Sequence, residues 1–372
     1  MTVTELLLNP ITLLSAVKTI PPLSTFLRDF LFKETQQSQT LSVAIDELIG
    51  SRRLAPFVAS NTVAPNVEKL PISTKIYRPP LVKAKKSLQA IDALNRLPGE
   101  LPFTTGGAFN QQQRAMELLG WELQDLSDRI SRREEWMISQ LLDTGSITIG
   151  GDGVNEIIDY EMPSTHKIIL TGNDLFSSSN SDPIALFTAW QRLIQQDGKM
   201  GPADFVIMGR NVRDAFLSHP KISANATSLL NTLRVDLGVI NPTVIQANGA
   251  EFLGTLKGMG GLNLYAYNQY YEDDNGNTCD MMPADKIFIG FSGARNIFAY
   301  GAIQDFQSPT ATTNASRMPN TLPTLPRNNL YAMSRFPKTW FTEEPSAQML
   351  MIQSAPLPIM VRPECFASIK AV

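Results

Sequence analysis

The stretch NQQQRAMELLGWELQDLSDRISRREEWMISQLLDTG, residues 110–145, carries the clearest pattern in this chain. Its apolar residues Ala115, Leu119, Leu123, Leu126, Ile130, Met137 and Leu141 recur at steps of three, four and seven, which sets them along one face of a helix. Asp125 with Arg129 and Asp128 with Arg132 are oppositely charged pairs at i and i+4 on the polar side. Asn110 is suited to cap the start and Gly145 to end the helix. At 1.5 Å per residue, a helix of about 30 residues runs roughly 45 Å, longer than a small globular domain needs. A helix over 110–143 is therefore the element around which the rest is arranged. Glu134 and Glu135 lie about 100° apart around it, so their carboxylates do not converge on one atom. With Arg132 and Arg133 beside them, they read as compensated surface charge rather than an acid–base pair, with interface ion pairing as the alternative.

Composition narrows the classes. A chain of 372 residues with 43% hydrophobic and 18% charged residues is globular and long enough for two or more domains. A net charge of -3 is not that of a dedicated nucleic-acid binder, although DNA against one locally basic surface stays open. Cys279 and Cys365 stand far apart and outside any CxxC spacing, which suits reduced thiols better than a disulfide framework. No apolar run reaches transmembrane length, and the start, MTVTELLLNP, lacks the basic n-region of a signal peptide.

Along the chain, residues 1–45 are apolar, threonine-rich and broken by Pro10, Pro21 and Pro22, with one short helix expected in PPLSTFLRDFLFKET. They resemble an arm docked on something else. TLSVAIDELIG, residues 40–50, alternates as a strand does. The next fifty residues are punctuated by Pro56, Pro65, Pro71, Pro79, Pro80 and Pro98, yet Leu54, Phe57, Val58, Ile72, Ile76, Tyr77, Leu81 and Val82 need burial. A long extension with its own apolar side chains points to a loop lying on a neighbouring subunit. After the helix, SITIGG, VNEIIDYEMP and HKIIL read as hairpins or a narrow sheet. Ser181–Asp182–Pro183 opens a second helix, and residues 181–306 alternate strands and helices as a separate α/β domain: DFVIMG, NVRDAFLSHP, RVDLGVINPTVIQ, AEFLGTLKG, LNLYAYNQYYED, DKIFIGFSG and NIFAYGAIQDF. Residues 307–330 read as a loop, and the strands of 331–372 as a return to the unit holding the long helix.

Few constellations could carry chemistry. His166 and His219 are the two histidines, neither in a nucleophile or zinc spacing, and both read as capping or packing. YEDDNGNTCD, 271–280, fails the spacing of a calcium loop and reads as an Asn-Gly hairpin turn. GTLKGMGG with Lys257 misses the phosphate-loop order, and Gly150, Gly151 and Gly153 miss GxGxxG. The basic run KAKKS, 83–87, with Lys75 and Arg78, is suited to acids on an adjacent subunit, to DNA phosphates or to plain solvation. Catalytic, cofactor-binding and metal residues are therefore all assigned as none.

Taken in order, LAPFVASN (54–61), YRPPLVKAKKSL (77–88), LPGE (97–100), RREEWMISQLLDTGSITIGG (132–151), NLYAYNQYYEDDNG, MPADKIFIG (282–290) and EEPSAQMLMIQSAPLPIMVRPECFASIKAV resemble the lambda-type major capsid protein E family of tailed bacteriophages. The resemblance implies an α+β, HK97-like capsid fold. Its parts would be an N-terminal arm (1–45), an extended loop with flanking strands (46–105) and a peripheral domain (106–180) with spine helix 110–143. An α/β axial domain (181–330) and a return to the peripheral domain (331–372) would complete it. It implies a non-enzymatic subunit forming hexamers and pentamers of an icosahedral head around double-stranded DNA, with expansion on maturation. Scaffolding, portal and decoration proteins are the implied partners, and the virion and the host cytoplasm the implied locations. No crosslinking is expected at Lys83, Lys85 or Lys86. A phage tail or other assembly protein is the nearest alternative, and an α/β hydrolytic enzyme a distant one.

Overall fold

The computed structural model describes residues 25–48, 72–89, 111–151, 153–222, 249–256, 260–273, 275–306, 328–342, 344 and 347–372, with scattered positions between 53 and 69. Helix α1 (Phe26–Leu31) leads into strands β1 (Glu34–Gln37), β2 (Val43–Leu48), β3 (Ile72–Tyr77) and β4 (Val82–Gln89). The long helix α2 (Gln111–Thr144) is followed by β5 (Ser146–Gly151), β6 (Val154–Asp159) and β7 (Lys167–Ile169). Next come α3 (Pro183–Asp197), β8 (Phe205–Met208) and α4 (Arg210–Ser218). Strands β9 (Ala250–Leu256), β10 (Leu262–Tyr267), β11 (Tyr270–Glu272), β12 (Thr278–Asp280) and β13 (Lys286–Gly290) follow. Then come β14 (Asn296–Tyr300), β15 (Ile303–Phe306), β16 (Asn328–Tyr331), β17 (Phe336–Thr342), β18 (Ala347–Ser354), β19 (Pro356–Met360) and β20 (Phe366–Lys370). The fold is α+β, and no described helix is long and apolar enough to cross a membrane.

Helix α2 is the organising element, as its periodicity requires. Its upper half lays Leu119, Leu123, Leu126 and Ile130 on the sheet β17–β18–β4, against Leu350, Ile352, Val82, Ala84 and Leu88. Its lower half buries Met137, Ile138, Leu141 and Leu142 in the largest core cluster. Gly145 ends it at φ +70°, its N–H donating to Leu141 O at 2.8 Å. A Cβ there would lie 2.3 Å from that of Met162, so both the turn and the packing demand glycine. The Asp125–Arg129 pair closes at 3.0 Å. Asp128 does not pair as its spacing suggests: its Oδ1 is buried without a hydrogen-bond partner, and burial pushes its carboxyl up. The Asn110 cap lies outside the described residues.

A six-stranded mixed sheet, β7–β20–β13–β8–β10–β9, forms the second body of the core. Strand β8 is buried along its whole length because both its faces are covered. Phe205 and Ile207 face the cluster shared with α2, while Val206 and Met208 face the one filled by Phe187, Trp190 and Ile194 of α3 and Val212 and Phe216 of α4. Helix α3 starts as read: Asp182 accepts the Ala185 N–H at 3.2 Å and Pro183 occupies the first turn.

Residues 331–372 divide between two sheets: β17 and β18 flank the upper half of α2, while β20 pairs with β13 and β7 in the six-stranded sheet and meets the lower half of α2 through Phe366 and the Ser368 hydroxyl, which donates to Asp143 Oδ1 at 3.1 Å. A short strand buried on both faces shows no alternation, so its sequence does not say which sheet receives it. Asn328–Tyr331, read largely as loop, pairs with β15. The proline-broken stretch also gives more structure to its own chain than expected, since β4 pairs with β18 throughout. RVDLGVINPTVIQ lies outside the described residues.

Candidate functional site

Glu134 and Glu135 are not surface charge. Their exposures are 0% and 2%, and each carboxylate is enclosed by partners from distant segments. Glu134 Oε1 accepts from Arg335 Nη1 at 2.5 Å and from the Tyr300 hydroxyl at 3.2 Å, while Oε2 accepts from Arg28 Nη1 at 2.9 Å. Arg335 also donates to Ser131 Oγ at 3.2 Å and Ser354 Oγ at 3.3 Å. Glu135 turns the other way: Oε1 accepts the Leu27 N–H at 2.8 Å and the Tyr267 hydroxyl at 2.7 Å, and Oε2 accepts the Arg28 N–H at 3.2 Å. It thereby caps α1, whose own N-cap Thr25 makes no side-chain bond. The two glutamates diverge as their helical angle requires, but into protein.

The charge compensation comes from Arg28 and Arg335, since Arg133 instead lies over the Trp136 ring at 5.0 Å. Burial pushes the Glu135 carboxyl up, against the opposing hydrogen bonds of Tyr267, Leu27 and Arg28. Burial and Glu135 likewise push the Tyr267 hydroxyl far up, and burial with Glu134 does the same to Tyr300. Both stay protonated donors. One signal for Glu134 was present: it stands four residues from Ile130 and from Ile138, on the apolar stripe itself. Nothing local points to Arg335, 201 residues away.

Strands β2 and β3 form a two-stranded ribbon, paired Val43 with Tyr77 through Leu48 with Ile72. One face is anchored: Val43 and Ile45 are buried, Tyr77 stacks on Tyr160 at 5.0 Å, and Lys75 pairs with Glu161 at 2.9 Å. The other face is open, with Ile72 71% and Ile76 70% exposed. Leu54, Phe57 and Val63 in the preceding segment are also exposed. Ribbons of two strands are marginal alone, and exposed apolar patches of this kind mark interaction surfaces.

The basic run divides by strand alternation. Lys86 faces α2 and pairs with Glu122 and, at 2.6 Å, with Asp125, so the acids that neutralise it come from its own chain. Burial opposes its charge, yet the two acids raise its pKa. Lys83 and Lys85 point to the opposite, exposed face.

The remaining candidates are structural. His166 is buried with Nδ1 at 2.8 Å from Phe366 O and Nε2 at 3.0 Å from Asp197 Oδ2. His219 follows α4 and bonds Ser181 Oγ through Nε2 at 3.0 Å. Residues 270–280 form the hairpin β11–β12, with Gly276 at φ +80° and Asp273 Oδ1 accepting the Asn275 and Asn277 amides. Gly254 lies in β9, and Gly260 and Gly261 precede β10, which pairs antiparallel with β9, so this stretch joins two strands; Lys257 lies outside the described residues. Neither Cys279 nor Cys365 is disulfide-bonded. Among the described residues, no group of three His, Cys, Asp or Glu side chains is placed to hold a metal ion.

A long helix spanning two sheets, an open ribbon and a helix-covered mixed sheet make up an HK97-like α+β fold. The same fold is seen in a protein assigned as the capsid protein of an Escherichia coli CFT073 prophage, at 18% identity and TM-score 0.69 over 98% of this chain and 99% of that one. The chain belongs to the phage major capsid protein E family, whose model matches residues 11–371, and its function is that of a major capsid protein of a tailed phage. It is 24% identical to the major capsid protein of Escherichia phage lambda over 351 residues, 93% of each chain. It is 24% identical to that of Escherichia phage N15 over 355 residues, again 93% of each.

Proposed function

We propose that this chain is a non-enzymatic subunit that closes into hexamers and pentamers of an icosahedral head around double-stranded DNA. Residues 1–45 serve as the arm, 46–105 as the extended loop with its flanking strands, 106–180 as the peripheral domain around the spine helix, 181–330 as the axial domain and 331–372 as a return to the peripheral domain. The observation that carries this is the ribbon's open face, because Ile72 and Ile76 are left exposed in a subunit by itself. Covering such side chains on a neighbour contributes roughly 25 cal/mol per Å² of apolar area. Repeated over a shell, that gain favours an expanded form burying more surface, which is how expansion becomes one-way during maturation.

Scaffolding, portal and decoration proteins are the partners that such a head requires, with assembly in the host cytoplasm and the virion as destination. Contact with the packaged DNA is by proximity, as the mild acidity of the chain suits. Negative-stain electron microscopy tests this on the chain expressed alone and with the products of neighbouring genes. Closed shells, or hexamers and pentamers, are expected. Tubes or open rings would favour a tail protein, and a monomer under both conditions would refute the proposal.

A further inference from the structure

Both histidines of this chain are buried, and their hydrogen-bond partners require opposite protonation states. His166 has Nδ1 at 2.8 Å from the Phe366 carbonyl oxygen and Nε2 at 3.0 Å from Asp197 Oδ2. A peptide carbonyl and a carboxylate accept hydrogen bonds and donate none. A neutral imidazole has one N–H, so one of the two contacts would set lone pair against lone pair at a fully buried ring. Both bonds form when each ring nitrogen carries a proton. His219 is built the other way. Its Nδ1 accepts the Lys221 N–H at 3.3 Å, while Nε2 donates to Ser178 O at 3.1 Å and Ser181 Oγ at 3.0 Å, an arrangement that needs the neutral ring.

The surroundings of His166 suit a cation. Asp197 is the last residue of α3, a helix with no basic residue in its final turn, so its carboxylate adds to the negative end of the helix dipole. A positive ring beside it offsets both charges. Asp197 is the one ion-pair partner of His166 among the described residues. Of the other charged groups on the elements around the ring, Lys167, Arg192, Lys199 and Lys370 are exposed and Glu364 is half-buried. Arg362 turns its guanidinium to Gly198 O at 3.4 Å, and Lys286 on β13 pairs with Asp143.

The three partners come from three places. His166 ends the turn before β7, Phe366 begins β20, and Asp197 ends α3. The end of α3 lies close against the turn before β20, since a Cβ on Gly198 would meet Cys365 Sγ at 2.9 Å.

We propose that His166 is a proton-operated clasp, whose imidazolium ties the turn before β7 to both β20 and the end of α3, and whose neutral form lets go of α3. The proton comes from solvent and returns to it. The neutral ring keeps its Nδ1–H on Phe366 O, an acceptor inside the protein. It gives up Asp197, whose side chain is 44% exposed and turns to water. A proton bound by the clasped form favours that form in acid, so the clasp closes as pH falls and opens as pH rises. It is a property of the folded subunit and does not depend on the capsid-subunit proposal.

With two histidines in the chain, isotope-labelled histidine read by nitrogen–proton NMR gives two ring patterns in unassembled, full-length subunits. At neutral pH one ring should carry protons on both nitrogens and the other on Nε2 alone. Asp197→Asn, at an exposed position that leaves folding intact, offers an amide that can donate to Nε2, and the first ring should then lose one of its protons. Hydrogen exchange reads the clasp itself. The Gly198 amide, bonded to Ile194 O at 2.9 Å, should lose about tenfold in protection as the proton leaves, after correction for intrinsic exchange. In Asp197→Asn that protection should be low throughout and flat with pH. Gly301, whose amide bonds Ala355 O away from the clasp, should show no such step in either chain. A His166 ring with a single proton at neutral pH, or Gly198 protection with the same pH dependence in Asp197→Asn as in the parent, would overturn the clasp.

Discussion

Arg335→Met removes one of the two guanidinium groups from the buried cluster and leaves the fully buried Glu134 with Arg28 at 2.9 Å and the Tyr300 hydroxyl at 3.2 Å. Removing one partner of a buried ion pair costs about 3–5 kcal/mol, because the remaining charge keeps its desolvation penalty. Arg28 stays, so the lower end applies. The two serines add little: Ser131 Oγ still donates to Ser127 O at 3.1 Å and Ser354 Oγ to Ser334 O at 2.8 Å. The expected loss is about 3 kcal/mol, or a melting point roughly 4 °C lower for a chain of this size. The assay is thermal melting of unassembled subunits by circular dichroism, at neutral pH and fixed concentration. Glu134→Gln and the double variant complete a cycle, in which the double should cost about 2 kcal/mol less than the summed singles. A melt of Arg335→Met within a degree of the parent, or strict additivity in the double, would refute the idea that this pair acts as a unit.

Glu135, whose carboxyl is pushed up by burial, should contribute stability that is fully present below its unfolded pKa and lost as pH rises through the higher folded value. Stability against pH should therefore fall over that interval and flatten in Glu135→Gln, and melts from pH 4 to 8 check it. Gly145→Ala should cost about 2 kcal/mol or more, since φ +70° and a 2.3 Å approach to Met162 act together; a melt equal to the parent would contradict the cap. Ile72→Ser with Ile76→Ser should leave subunit melting within about 1 kcal/mol of the parent, as expected for exposed positions, while reducing particle yield on sedimentation. Lost folding would show that the ribbon packs on its own chain.

The long helix was legible because the stripe from Leu119 to Leu141 repeats over about six turns, and its end because Gly145 precedes a β-rich run. The α3 start was legible for the same local reason, in Ser-Asp-Pro. The buried charges were not. Arg28 and Arg335 meet Glu134 from 106 and 201 residues away, and a charge beside other charges looks solvated until the chain folds. Glu134 did stand on the apolar stripe, and position weighed against charge type would have marked it. Lys86 shows the same limit in a milder form: alternation separates it from Lys85, but only the placement of β4 on α2 shows which face is inward. Sheet membership of β20 was illegible because buried strands of either sheet have one composition.

The position of β20, between β7 and β13, also has a temporal side. As a ribosome extrudes the chain, residues 167–169 and 286–290 emerge long before 366–370, the strand that must come to lie between them. Until then the sheet has a gap with two unsatisfied edges, so a nascent polypeptide stopped short of residue 366 cannot present finished surfaces. Incomplete translation products would thus be kept out of the growing particle by their own incomplete folding, without a separate proofreading factor.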